Sequence, residues 1–346
     1  MKGLRIIVPK EREIIFEEFE IEENKIKEDE ALVENIYTMI SPGTELSIYT
    51  GIDPEVYVPN SWCHYPFKPG YIGVGRIIKV GKEVIDLKEG DVIYYFSNHT
   101  SHSIIRAGNT VDKSFFVKVS SEIDLKLVPI TKFGTIALTS LRVSSFDSGD
   151  RVLIVGLGLV GNLAAQIFKI AGGKVIGVDL SKKRIEIAKK IGIDEIINSS
   201  EVDVKEKIME LTNREGVDIA VDAVGDSKII IEISEFVKDM GEIILLGTPR
   251  RSYETDITPL LRAIHLRWIT LKGALEWCFP LYKCIGNKFS YEKNSLYILD
   301  LIREKKLVVK DLITHIVKPQ DFKSAYEGLL NNKEEYLGVL IEWNRE

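Results

Sequence analysis

Hydrophobic and polar positions change rhythm once along the chain, near residue 130. Before it, short apolar runs such as LRIIV, GVGRIIKV and DVIYYF are separated by Pro, Gly, Asn and Lys turns. Runs of that length between turn residues predict antiparallel, barrel-like β structure. After it, a helical stretch (TIALTSLRV) leads into a continuous apolar strand (RVLIVGL), a helix (GNLAAQIFKIAG), a strand (KVIGVD) and a charged helix (KKRIEIAKKIG). A short strand (EIIN), a helix (VKEKIMELTN), a strand (VDIAVDAV), a helix (KIIIEISEFVKD) and a strand (EIILLG) continue the alternation. Strands alternating with helices in this way predict a doubly wound parallel sheet with right-handed crossovers, and hence an α/β fold. From about residue 276 two helices (SLYILDLIREKK and DFKSAYEGLLNN) precede a closing strand, YLGVLIEW.

The length of 346 residues agrees with two domains at roughly 100–200 residues each. Apolar residues at 45% and charged residues at 28% are an ordinary globular composition, neither disordered nor membrane-spanning. The opening MKGLRIIVPKEREIIFEEFE turns acidic and lacks the basic, apolar, small-residue order of a signal peptide, so a cytoplasmic protein is expected. Lys and Arg total 46 against 52 Asp and Glu, a net charge of −6. That balance opposes attraction to a phosphate backbone or an anionic bilayer. A small-molecule substrate is therefore the expected partner, with no nucleic acid and no membrane. Three cysteines without a CxxC support neither a disulfide framework nor a four-thiolate zinc site.

Gly156, Gly158 and Gly161 stand in the spacing G-x-G-x-x-G between an apolar strand and a helix. The first glycine permits a tight turn, the second lets the backbone approach a pyrophosphate, and the third lets helix pack on strand. The N–H groups opening that helix, at Leu159 and Val160, then attract the phosphates. The next strand ends in Asp179, 18 residues beyond Gly161, close to the roughly 20 expected of the acid that accepts the ribose hydroxyls of NAD. Asp179 repels the 2′-phosphate of NADP, while Lys182, Lys183 and Arg184 attract one. NAD is the expected cofactor and NADP the alternative. Gly225 and the pair Gly247–Thr248 end later strands, at the edge where an open α/β sheet meets its ligand; a plain turn also explains these glycines.

At this point the sequence resembles the medium-chain dehydrogenase/reductase superfamily, the alcohol and polyol dehydrogenase fold. SPGTELSIYTG (41–51) is similar to its catalytic-zinc segment C-G-S-D-x-H-x-x-x-G, and KPGYIGVGRIIKVG (68–81) to its P-G-H-E-x-x-G-x-V-x-x-x-G. EGDVIY (89–94) is similar to its P-G-D-x-V strand. The resemblance implies a β-rich, GroES-like catalytic domain over 1–130 and 276–346, interrupted by a Rossmann domain over 131–275. It also implies a homodimer, or a homotetramer of such dimers, joined through EIILLG and the segment to LRWITLKG.

The departures carry as much as the matches. Pro42 occupies the zinc cysteine's place, Tyr71 and Ile72 stand where the ligand His and adjacent Glu belong, and Thr131 falls near the third ligand. Residues 91–125 hold none of the four structural-zinc cysteines. Zinc takes thiolate, imidazole or carboxylate donors, so no metal site is expected. The resemblance implies that Thr44 relays the substrate proton, with Ser47 at the relay histidine's place; a turn capped by Thr44 is the other account. Tyr71 is expected to donate to the substrate oxygen, or to fill the volume that zinc vacates. His99 and His102 lie in the polar stretch YYFSNHTSHSII, where the family's substrate pocket begins, next to Phe96. An imidazole is suitably poised for neutral-pH proton transfer, so His99 is the expected proton-transfer group, with Thr44 and Tyr71 holding the oxygen; an ordinary exposed loop histidine is the other account. Thr135 lies 21 residues before Gly156, the offset at which the family packs a threonine against nicotinamide. The reading is an NAD-dependent, zinc-free oxidoreductase acting on a secondary alcohol or ketone of a sugar, polyol or related metabolite. An NADPH-dependent quinone or enone reductase and a non-catalytic nucleotide-binding protein are the alternatives.

Overall fold

The structure is a computed structural model and describes residues 1–109, 112–250 and 252–343. Seven strands open the chain: β1 (Lys2–Ile7), β2 (Ile15–Glu20), β3 (Glu30–Met39), β4 (Gly73–Val80), β5 (Val92–Tyr95), β6 (His102–Arg106) and β7 (Phe116–Lys118). Helix α1 (Pro42–Tyr49) follows β3, and α2 (Thr131–Val143) follows β7. The alternating stretch runs β8 (Arg151–Val155), α3 (Leu159–Ile170), β9 (Lys174–Asp179), α4 (Lys182–Lys190), β10 (Glu195–Asn198) and α5 (Val204–Leu211). It continues with β11 (Val217–Asp222), α6 (Ser227–Ile233), β12 (Val237–Leu245), α7 (Thr258–Leu266), β13 (Thr270–Gly273) and α8 (Tyr291–Arg303). The chain closes with β14 (Ile313–Val317), α9 (Phe322–Asn331) and β15 (Gly338–Glu342). Among the described residues no helix is long and apolar enough to cross a membrane.

The chain divides into two compact units, Met1–Thr131 with Ile313–Glu346, and Lys132–Leu312. In the first unit the main sheet has the order β14-β15-β3-β4-β5-β7, with β6 also paired to β3. Strand β3 lies inside this sheet and reads EALVENIYTM, buried at nearly every position, because both of its faces are covered. One face packs Ala31 and Val33 against Ile77, Ile93 and Ile105. A second core gathers Ile40, Leu46 and Tyr49 with Phe322, Tyr326, Ile341 and Trp343, so that α1, α9 and β15 share it.

In the second unit six parallel strands take the order β10-β9-β8-β11-β12-β13. Val152, Leu153 and Ile154 of β8 are fully buried, as continuous apolar runs are when helices cover both faces. The order reverses between β8 and β11, which makes the loop after β8 the switch point where ligands bind.

Residues 276–312 group with this second unit, whereas the expected boundary placed them with the first. The cause is local packing of the segment through α8. A Cβ on Gly134 of α2 would lie 2.6 Å from Ile298 of α8. The Thr135 hydroxyl lies 3.1 Å from that of Tyr291. Gln166 of α3 exchanges hydrogen bonds of 2.9 and 2.7 Å with the backbone of Val308.

Candidate active site

The loop after β8 has the conformation that its glycines predict. Gly156 adopts φ +88, and a Cβ there would press on Val224 at 2.6 Å. A Cβ on Gly161 would collide with the Gly156 carbonyl oxygen, so α3 packs on the loop only because no side chain intervenes. Gly158 caps α3 in extended backbone. On its Cβ side the nearest atom is Nη1 of Arg184 at 3.8 Å, which leaves a cradle that a side chain would fill. Leu159 is buried and Val160 half-buried in the first turn of α3, where the unpaired N–H groups of a helix start attract anions. The residues present fit a dinucleotide.

Asp179 ends β9 nearly buried. Its carboxylate accepts the Leu157 N–H at 2.7 Å and the Ser181 N–H at 2.8 Å, and so ties the glycine loop to the neighbouring strand end. Arg184 stands 3.6 Å from Asp179 Oδ2, and its buried Nε has no hydrogen-bond partner among the described residues. Gly225 and Gly247 serve a second purpose, since a Cβ on Gly225 would come within 2.5 Å of the Thr248 carbonyl oxygen. The two strand-end loops thus touch backbone to backbone, and Thr248 itself is exposed. Buried Asp222 fixes this corner by accepting the Val224 N–H at 2.9 Å and the Gly225 N–H at 3.1 Å; burial pushes its carboxyl above the usual range. Thr135 is buried, and its hydroxyl donates to the Lys132 carbonyl oxygen at 2.7 Å. The threonine expected against nicotinamide spends its hydroxyl inside its own helix and on Tyr291.

In the first unit SPGTE forms the start of a helix rather than a turn. Pro42 occupies the first helical position of α1 and Ser41 its N-cap, a place where proline's fixed φ is pre-organised. The Ser41 side chain makes no capping bond; instead its hydroxyl shares a hydrogen bond with the Tyr71 hydroxyl. Thr44 and Tyr71 are both half-buried. Ser47 is a correction to the expected pocket residue: it is buried, and its hydroxyl donates to the Thr44 carbonyl oxygen at 2.8 Å. Phe96 is half-buried against Phe115, ring centroids 4.7 Å apart.

His99 is the larger correction. It is 0% exposed, with Nδ1 2.7 Å from Thr38 Oγ1 and Nε2 3.0 Å from Glu45 Oε2. With both ring nitrogens engaged by protein and no surface left, it does not exchange a proton with substrate. His102 opens β6 with Nδ1 2.9 Å from Ser101 Oγ, and burial holds its pKa below the ordinary value.

Tyr71 pairs with the Ser41 hydroxyl. Pro42, Tyr71, Ile72 and Thr131, at or near the places that the resemblance gives to zinc ligands, are not the thiolate, imidazole and carboxylate donors the metal takes. Thr131 Oγ1 is buried without a hydrogen-bond partner among the described residues. Among those residues no three His, Cys, Asp or Glu side chains gather as a metal site.

Two residues escaped the sequence reading. Ser41 carried a weak signal as the residue before a helix-opening proline. Lys132 carried none: a lysine beside an apolar helix reads as a surface residue, yet it is 1% exposed. Its Nζ lies 2.7 Å from Glu276 Oε1 and over the rings of Trp277 and Tyr291 at 4.7 and 4.9 Å. Burial pulls its pKa down, but Tyr291 and Glu276 outweigh that and hold it above the ordinary value.

Comparison with known proteins agrees with this architecture. Residues 160–278 match the zinc-binding dehydrogenase family. An alcohol dehydrogenase of Malus domestica is 30% identical over 268 residues, covering 75% of this chain but only 65% of its own length. The solved structure of 2R,3R-butanediol dehydrogenase from Bacillus subtilis superposes with a TM-score of 0.80 at 21% identity, over 99% of this chain and 100% of that one. An alcohol dehydrogenase of Escherichia coli CFT073, complexed with NADH, gives 0.80 at 18% identity, over 99% of each chain. The chain is thus similar in sequence to an alcohol dehydrogenase over 75% of its own length and 65% of that relative's, and it shares the fold of solved alcohol and butanediol dehydrogenases.

Proposed function

We propose that the protein is an NAD(H)-dependent oxidoreductase that interconverts a secondary alcohol and a ketone of a sugar, polyol or related polar metabolite, without catalytic zinc. The observation that carries the reading is the Ser41–Tyr71 hydroxyl pair: the resemblance gives Tyr71 the place of one zinc ligand, and Ser41 precedes Pro42 at the place of another. The bound cofactor supplies the hydride acceptor or donor. The chain's own residues do the rest. Gly156, Gly158 and Gly161 cradle the pyrophosphate and Asp179 takes the ribose. As hydride leaves or reaches the reacting carbon, alkoxide charge develops on the oxygen it bears, and that oxygen must give up a proton in oxidation and receive one in reduction. Tyr71 donates its phenolic proton to the substrate oxygen in reduction and receives it back in oxidation, with Ser41 and Thr44 orienting the oxygen.

A dehydrogenase complexed with NADH among the structural neighbours supports a nicotinamide cofactor. Asp179 favours NAD, while the partnerless Nε of Arg184 keeps NADP, and with it enone reduction, as the second reading. Assembly into a homodimer, or a homotetramer of such dimers, belongs to the same proposal. Strand β13 ends its sheet, and Trp268 beside it is 70% exposed, with Leu266 and Leu271 also open. Three free cysteines, Cys63, Cys278 and Cys284, suit a reducing compartment such as the cytoplasm.

The test is a panel of polyols oxidised and enones reduced, each with both cofactors, using chelator-treated protein of known metal content. Polyol turnover with NAD that survives chelation, and falls steeply to a measurable residue in Tyr71→Phe, supports the reading. Enone turnover with NADPH favours the second reading, and dinucleotide binding without any turnover indicates a non-catalytic protein. Stoichiometric zinc whose removal abolishes activity overturns the metal-free proposal. Asp179→Ser is expected to narrow or reverse the preference for NAD(H), read by dinucleotide titration; tighter NADPH binding by the wild type contradicts the assignment.

A further inference from the structure

Behind the hydroxyl pair lies a buried ionisable cluster to which the proposed chemistry assigns no role. Glu45 is 1% exposed, and its carboxylate receives three donors. Oε1 accepts the Ser41 N–H at 2.7 Å, and Oε2 accepts the Tyr326 hydroxyl at 2.6 Å and faces His99 Nε2 at 3.0 Å. On the far side of the imidazole, Thr38 Oγ1 meets Nδ1 at 2.7 Å and accepts the Trp343 Nε1–H at 2.8 Å. A buried carboxylate costs several kcal/mol unless it is fully bonded, and a well-packed apolar replacement of a buried pair is often about as stable. Stability is therefore a poor account of this cluster.

Its geometry offers a better one, because two arms run from His99 to the same place. Through Glu45 it reaches the Ser41 backbone, which carries one hydroxyl of the pair. Directly, the backbone N–H of His99 donates to the Pro69 carbonyl oxygen at 2.8 Å, and the imidazole ring seats against Gly70. There φ is +92, and a Cβ would lie 2.6 Å from His99 N and 2.9 Å from its Cγ. The next residue is Tyr71, the other hydroxyl of the pair. No unbroken proton path links the two regions, since Glu45 bonds the N–H of Ser41 rather than its hydroxyl.

We propose that Glu45 and His99 are positioning residues of the reaction: one clamps the Ser41 backbone, the other the Pro69–Gly70 turn, and together they fix the spacing of the Ser41–Tyr71 hydroxyl pair. The inference rests on the reading that this pair handles the substrate oxygen. A displacement of about 1 Å at such a pair can cost on the order of a hundredfold in rate.

The experiment is a double-mutant cycle on the full-length protein with the best substrate of the panel. Glu45→Gln keeps size and removes charge; it is expected to lower kcat about tenfold or more while leaving the NADH dissociation constant within about twofold. Placed on Tyr71→Phe, the same change is expected to cost less than about twofold, because the hydroxyl it positions is gone. His99→Gln is expected to behave likewise. A silent Glu45→Gln, or full additivity with Tyr71→Phe, overturns the positioning role. A silent Tyr71→Phe overturns the functional reading instead, so the two failures are distinct. Should Glu45→Gln not fold, Thr38→Val, which removes the hydroxyl behind the imidazole, takes its place in the cycle with the same expected and overturning outcomes.

Discussion

Single residues behaved according to their partners rather than their type. His99 drew attention as the histidine next to an aromatic strand end, and the sequence located it without showing its burial. An imidazole reads the same on paper whether it faces water or sits between Thr38 and Glu45. Tyr71 and Ser41 are 30 residues apart in the chain and share a hydrogen bond that no local pattern announces. Lys132 and Glu276 are 144 residues apart, and they make the sharpest stability prediction. Removing one member of a buried ion pair strands the other and costs about 3–5 kcal/mol, whereas replacing both with apolar residues of like volume is near neutral. Lys132→Met is therefore expected to lower the thermal unfolding midpoint markedly, and Lys132→Met/Glu276→Leu to recover most of it. Equal losses in the single and double variants would show that the cation's contact with the Trp277 and Tyr291 rings, not the ion pair, is what matters.

Elements were legible where periodicity was long. The strand and helix around the glycine loop appear as β8 and α3, because a buried β-branched run and an apolar helix flanking three glycines leave few alternatives. The stretch KIIIEISEFVKD reads as one helix but splits. Helix α6 ends at Ile233, and β12 begins at Val237, paired with Val217. Val237 is drawn into the sheet by a partner 20 residues back, and tertiary pairing overrides local propensity. The junction of β8 and α3 yields a prediction of its own. Gly161→Ala puts a methyl group against the Gly156 carbonyl oxygen, so α3 must back away from the loop proposed to cradle the pyrophosphate. Dinucleotide affinity, read by fluorescence titration, is expected to fall about tenfold or more, equivalent to about 1.4 kcal/mol; unchanged binding would mean that the loop is not the cofactor's seat.

At the scale of the whole molecule, the exposed apolar side chains beside β13 lead to a prediction about assembly. An edge strand with unpaired backbone groups invites another chain, and a two-fold axis is the commonest way to cover one. Light scattering at micromolar concentration is expected to give twice or four times the chain mass, and Leu271→Lys to shift it toward the monomer. A wild-type monomer contradicts the assembly proposed.

The sequence by itself determined the two kinds of sheet, the glycine loop with Asp179 at the next strand end, and which residue types stand at the places that the resemblance gives to zinc ligands. These depend on spacing within one element or between neighbouring ones, where backbone geometry links position to direction. Only the tertiary structure decided which unit residues 276–312 join, that Ser41 partners Tyr71, that Lys132 is buried, and that His99 stands behind the hydroxyl pair with no free nitrogen. Each of those depends on contacts between residues far apart in the chain. Burial and hydrogen-bond partnership are properties of such contacts, and a side chain's chemistry follows from them as much as from its identity.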